Sequence, residues 1–261
     1  MSFFEHIEAL RWHVIRSAVV IVIFGFILFF FNDFLFGTVI FGPRHQNFIT
    51  YRLICKLGWF FLGNDSGCIQ VASQGLISTE LAGQFTMHLW VSFIGGTIIG
   101  MPYLLWEIWR FIRPALKNTE AKPVRGFVGV STFLFLAGVS FCYFLIFPLT
   151  WNFLAPYQVS KDVQNLISFD SYVSNLTTLT LAFGLVFEMP VVVYFLSRLG
   201  LMTPTFMRKY RRHAIVAVLL IAAFITPTSD IPTQLAVFLP LYVLFEISIF
   251  VSAYVKKKYP S

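Results

Sequence analysis

Long apolar runs, broken by short polar and charged stretches, dominate the chain. A helix that crosses a bilayer needs about 20 mostly apolar residues. Runs of that kind occupy about 14–35, 85–106, 126–148, 172–196 and 231–254. A further run, about 213–227, is shorter. At 1.5 Å per residue it covers roughly 22 Å, less than the roughly 30 Å hydrocarbon core. The first run holds no charge between Arg16 and Asp33, and Pro102, Glu107 and Arg110 mark the end of the second. Only Thr226-Pro227-Thr228-Ser229-Asp230-Ile231-Pro232 separates the last two runs. They are therefore expected to be short helices in a tight hairpin, with Asp230 as N-cap and Pro232 in the first turn. The pattern predicts an all-α polytopic membrane protein forming one integral membrane domain over 1–261. It has six spans and both termini on one side.

The segment 36–84 is too long for a bare connection. Within it, Tyr51 to Leu62 sets Arg52 and Lys56 four residues apart among aromatic and aliphatic side chains. That spacing predicts a helix, either lying in the membrane interface or packed against the bundle. Ser78 or Thr79 is a candidate cap for a turn into the second span. Cys55 and Cys68 share the segment. Paired, they close a loop worth about 3 kcal/mol; the alternative is two buried thiols.

Composition agrees with the pattern. Of 261 residues, 57% are hydrophobic, 12% are charged and 32 are phenylalanine. This excludes a disordered chain, a coiled coil and a disulfide-stapled secreted module, and argues against an ordinary soluble enzyme. The net charge of +7 is read as basic loops at one membrane face, not as a nucleic-acid surface. With the N-terminus inside, fifteen Lys and Arg residues flank the inner ends. Four lie outside: Arg44, Arg52, Lys56 and Lys161. The expected topology is N-in, C-in. No cleavable signal peptide is expected, because the first run is too long for one.

Catalytic motifs are absent: no Walker A, nucleophile elbow, HExxH or CxxC occurs. The five histidines have no metal-ligand spacing, so no metal or cofactor is expected and each histidine is assigned to packing or the interface. Glu188 lies near the middle of the fourth span, where a charged carboxylate costs at least about 2.5–3.5 kcal/mol. It calls for a polar partner, a wet cavity or a proton. Glu246, in the last span, admits function, snorkelling or a structural hydrogen bond. The inner surface joins Phe3-Phe4-Glu5-His6-Ile7-Glu8 to Trp106-Glu107-Ile108-Trp109-Arg110-Phe111-Ile112-Arg113-Pro114, with Glu120 following. Carboxylates on a basic, aromatic face suit a cationic ligand, because guanidinium pairs bidentately with carboxylate.

Five stretches carry a family resemblance over about residues 3–255: His6-Ile7-Glu8-Ala9-Leu10-Arg11, Pro102 to Leu116, Phe183 to Pro190, Thr226-Pro227 with Asp230, and Leu244-Phe245-Glu246. In this order the sequence resembles TatC, the multispanning receptor subunit of the twin-arginine protein translocase. The resemblance implies a curved, cup-like six-helix scaffold in the bacterial inner membrane. It implies a receptor that binds the paired arginines of folded cargo's signal peptides at the cytoplasmic face, and forms a homo-oligomeric receptor complex. Single-span TatA/TatB-type partners are recruited, and protonmotive force drives transport without enzymatic activity. Phe111 and Glu120 match the family's signal-binding positions, and Arg11 matches the N-terminal motif arginine. Glu8 and Glu107 join them as carboxylates of the same surface. Glu188 matches the polar residue implicated in partner contact, and Asp230 an acidic residue of the last outer loop. One departure stands out. The family's motif places glutamate where this chain has Ala9, and the carboxylate sits one residue earlier, at Glu8. One residue turns a helical side chain by about 100°, which shifts the expected recognition toward Glu120. Two competing readings are a proton- or cation-coupled small-solute transporter centred on Glu188 and a scaffold without a ligand.

Overall fold

A computed structural model describes residues 3–62, 68, 71, 75–112, 124–158, 160, 162, 165–225 and 231–258. In chain order the α-helices are α1 (Phe3–Phe29), α2 (Ile49–Leu62), α3 (Gly83–Ile112), α4 (Val124–Phe141), α5 (Phe147–Leu154), α6 (Phe169–Phe187), α7 (Met189–Arg198), α8 (Pro204–Lys209), α9 (Arg211–Ile225) and α10 (Ile231–Lys258). A π-helical turn, Cys142–Ile146, joins α4 to α5, and α6 meets α7 at Glu188. Among the described residues, five stretches are long and apolar enough to cross a membrane: Glu8–Phe29, Gly83–Phe111, Gly126–Leu154, Phe169–Arg198 and Gln234–Lys258.

The elements differ from the sequence expectation at three points. First, α1 begins earlier and ends at Phe29, not near residue 35. Beyond it the Phe30 and Phe31 amides bond back to the Ile27 and Leu28 carbonyls. A π-helical turn, Asp33–Ile40, then starts with the Asn32 side chain accepting from the Asp33 amide at 2.7 Å. Short polar side chains such as Asn compete for backbone donors and end regular helix. Second, the expectation that the last two helices are both short holds only for α9. It has 15 residues, whereas α10 has 28, or roughly 42 Å of helix. Pro240 lies inside α10 without ending it. Third, α3 starts at Gly83, two residues before the expected start of the run, and before it the Ser78 hydroxyl donates to the Glu80 carbonyl at 3.4 Å. Asp230, the expected cap of α10, lies outside the described residues.

Small residues let the long helices approach closely, the usual solution where lipid supplies no hydrophobic drive between helices. α1 and α3 run antiparallel. A Cβ on Gly96 would stand 2.5 Å from the Gly25 nitrogen and 2.7 Å from the Ile21 oxygen. Gly96→Val is therefore expected to cost about 1–3 kcal/mol of stability through overpacking. Thermal unfolding in detergent reads this out, with Gly129→Ala, where a Cβ meets open space, as the unaffected control. α4 and α6 pack in the same way, with the Phe135 ring against Gly184 and the Phe183 carbonyl against Gly138. α7 and α10 run parallel and are tied by the Ser197–Ser252 hydroxyl pair at 2.8 Å.

The described residues of the 36–84 segment pack against the ends of the long helices. β1 (Leu76–Ile77) pairs in parallel with β2 (Ile167–Ser168), Leu76 opposite Ile167. Three phenols donate to backbone carbonyls of the 39–43 stretch: Tyr143 to Val39 at 2.7 Å, Tyr172 to Ile40 at 2.7 Å, and Tyr51 to Pro43 at 2.8 Å. Burial pushes the Tyr51 phenol up to about 12, so it stays a donor throughout the physiological range. The Thr50 hydroxyl donates to the Phe144 carbonyl. α2 is thus a helix fastened to the bundle, and its Cys55 is disulfide-bonded to Cys68. Of the two alternatives the sequence left open, the structure has the bridge. Cys55→Ser is expected to lower stability by up to about 3 kcal/mol, seen as a drop in thermal midpoint that reductant reproduces in the unsubstituted protein. Cys142 is a buried free thiol of the π-helical turn.

Candidate functional site

The start of α1 and the end of α3 lie together at one end of the bundle. His13 Nδ1 donates to Glu107 Oε2, joining positions 94 residues apart. The Tyr103 hydroxyl donates to Glu107 Oε1 at 2.8 Å. Glu107 is only 1% exposed, and both its oxygens are occupied. Glu107 is an internal brace, because a buried carboxylate with both oxygens bonded has little left to offer a ligand. The brace fixes the His13 ring, which stands edge-on to Phe111 at 6.0 Å. Behind it Trp109 is buried, stacked on Phe127 at 4.5 Å and packed on Phe195 at 5.1 Å. These rings bind the ends of α3, α4 and α7 into one wall. Arg110 lies over the Trp106 ring at 5.6 Å.

Around this brace, Glu8 and Arg11 are exposed on the first turns of α1, and Phe111 is half-buried. Because the helix is regular from Phe3, Glu8 and Ala9 point about 100° apart. Glu120 falls outside the described residues, as does Asp230. His13 and Tyr103 were not singled out by sequence reasoning. The available signal was the pairing requirement itself: an acid at the end of one apolar helix needs a donor at the same depth on a neighbour.

Glu188 sits where α6 gives way to α7, and Pro190 supplies no amide to continue the ladder. Its Oε2 accepts from the Ser131 hydroxyl of α4 at 2.5 Å. The residue is 7% exposed, and its Oε1 has no hydrogen-bond partner among the described residues. Glu246 is differently placed. Arg211 Nη2 donates to its Oε2 at 2.6 Å and the Tyr242 hydroxyl to its Oε1 at 3.1 Å. It is a paired carboxylate linking α9 to α10.

A family model described as Sec-independent protein translocase protein (TatC) matches residues 5–240. The chain belongs to the TatC family. It is 38% identical over 259 residues to the TatC protein of Blattabacterium sp. subsp. Periplaneta americana, covering 99% of this chain and 97% of that one. It is 33% identical to TatCy of Bacillus subtilis over 97% of this chain and 89% of that one. Two solved structures of the twin-arginine translocase receptor TatC share its fold. One has a TM-score of 0.70 at 28% identity, over 96% of this chain and 99% of that one. The other, in the detergent DDM, has a TM-score of 0.74 at 30% identity, over 95% and 99%. Five long apolar stretches among the described residues, in a bacterial translocase family, make this a multi-pass inner-membrane protein. It is a component of Sec-independent protein transport, and the small-solute transporter reading is set aside.

Proposed function

We propose that this TatC-family protein is the receptor that binds twin-arginine signal peptides on the cytoplasmic face, at the end of the bundle where α1 meets α3. The observation that carries the reading is the His13–Glu107 link. It pins the N-terminal stretch with Glu8 and Arg11 to the α3 stretch with Phe111, so two distant motifs share one surface. Glu120, nine positions beyond Phe111 in sequence, supplies carboxylate charge for the guanidinium groups, and the exposed Glu8 of α1 adds a second carboxylate. Phe111 offers the apolar shelf for the hydrophobic part of the signal. Arg11 and Arg110 discourage cationic segments that lack the fixed guanidinium pair.

The cytoplasmic assignment rests on the loop-charge asymmetry and on the disulfide at the opposite end of the bundle. Disulfides persist in oxidising compartments such as the periplasm. TatA/TatB-type partners fit the mid-span carboxylate Glu188, whose buried Oε1 has no hydrogen-bond partner among the described residues. A homo-oligomeric receptor complex follows from the same family role.

Export of a folded twin-arginine reporter tests the reading, in cells whose own TatC has been replaced by this chain together with its cognate single-span subunits. Export that requires the arginine pair supports it, and export indifferent to an arginine-to-lysine change overturns it. The brace makes its own prediction. Glu107→Gln, which keeps the shape but removes the charge beside His13, is expected to weaken signal-peptide binding several-fold with KM-like rather than maximal-rate behaviour. His13→Ala does the same by freeing Phe111. Titration of binding against export rate separates this from a folding defect, which lowers both together.

A further inference from the structure

A concavity lies at the end of the bundle opposite the His13–Glu107 link, where α1 finishes and the Asp33–Ile40 turn, β1 and the starts of α3 and α6 converge. Its volume is about 590 Å³, within the range of small-ligand sites. Arg44 and His88 supply basic groups to its wall, Asn32 and Gln84 neutral amides, and Phe36 and Phe85 apolar surface. No acidic side chain is among the described lining residues, and Asp33 and Asp170, adjacent in sequence to lining positions, do not line it.

The basic groups are packed among aromatic rings. The Arg44 guanidinium carbon lies 5.8 Å from the Phe41 ring centre, 5.6 Å from Trp151 and 5.7 Å from Tyr172. The His88 ring is stacked on Phe29 at 4.1 Å and edge-on to Phe36 at 5.4 Å. Its Nε2 is buried without a hydrogen-bond partner among the described residues. Pre-positioned arginine and histidine donors beside amides match the oxygens of a phosphate group.

We propose that this cavity binds the phosphate of a phospholipid headgroup from the leaflet at this end of the bundle. Depth and surroundings favour a lipid over a soluble anion. α1 ends at Phe29, so the cavity sits where hydrocarbon gives way to headgroups. Phe85, which lines the cavity, is exposed, and Phe26, Phe30 and Phe34 are exposed on the neighbouring end of α1 and the chain after it, apolar surface suited to acyl chains near a basic pocket. The site is separate from the signal-recognition surface and does not depend on it.

Native mass spectrometry of the protein released from vesicles of equal phosphatidylcholine and phosphatidylglycerol tests the assignment. The unsubstituted protein is expected to retain one phospholipid through delipidation. Arg44→Gln should reduce retention at least tenfold. Because Arg44 also packs among three rings, a second variant carries the test without disturbing packing. Asn32→Asp with Gln84→Glu sets two near-isosteric carboxylates at exposed lining positions, and the same loss is expected. Millimolar inorganic phosphate should leave lipid retention unchanged. Equal retention in the double variant and the unsubstituted protein overturns the site. Phosphate binding without lipid retention overturns the lipid assignment in favour of a soluble anion.

Discussion

Glu120→Arg is expected to abolish twin-arginine signal-peptide binding while the protein still inserts and folds. The receptor account assigns Glu120 the main charge that pairs with guanidinium, since the N-terminal carboxylate, Glu8, stands one residue before the motif position, which here holds Ala9. Removing one partner of a hydrogen-bonded charge pair costs about 2–5 kcal/mol, and reversing it adds repulsion. An affinity loss of roughly a hundredfold or more should follow at moderate salt. Glu8→Arg is expected to have a smaller effect, because its exposed position on α1 leaves it largely hydrated. Affinity of the solubilised protein for an immobilised signal peptide measures both. A Glu8 effect equal to or greater than that of Glu120 would transfer the recognition role to α1.

The second large effect is expected at Glu188. Glu188→Ala should leave signal binding intact but strongly reduce co-purification of the single-span subunits, and with it export. The warrant is an asymmetry. One oxygen is satisfied by Ser131, whereas the other is buried without a partner among the described residues. An unmet acceptor at that depth is costly unless something arrives to meet it. Ser131→Ala separates the alternatives. If Ser131 only holds the carboxylate in place, its loss weakens partner assembly partially, and Glu188→Gln, which keeps a carbonyl oxygen, rescues part of the alanine defect. Normal assembly and export in Glu188→Ala, with only a lower melting temperature, would make Glu188 a structural residue.

The physics of span length made the long helices legible in the sequence, because a run of apolar residues has few other uses. The α2 helix was legible too, from the Arg52–Lys56 spacing. Breaks inside apolar runs were harder to read. The turn at Asp33–Ile40 and the π-helical step at Cys142–Ile146 carry little hydropathy signal, since their residues remain apolar. Long-range bonds hold the first of them in place beside the local Asn32 cap: Tyr143 and Tyr172 donate to the Val39 and Ile40 carbonyls. The β1–β2 pairing joins residues far apart in sequence through two positions each, too few to leave a periodic trace. At the candidate site, Phe111 and Glu8 were visible as residue types on a basic face. The burial of Glu107 was not, because it depends on His13 arriving from another helix at matching depth. The same reasoning applies to Glu246. Its mid-helix position suggested function or structure alike, and only the packing of α9 on α10 brings Arg211 to it.

The most direct test of the receptor account is photo-crosslinking of a twin-arginine signal peptide to this protein in membranes, beside a twin-lysine control. The account predicts strong, arginine-dependent labelling at positions flanking Phe111 and Glu120 and at the first turns of α1, with little labelling at the disulfide-bearing end. Equal labelling by the two peptides, or labelling confined to the opposite end, would contradict it.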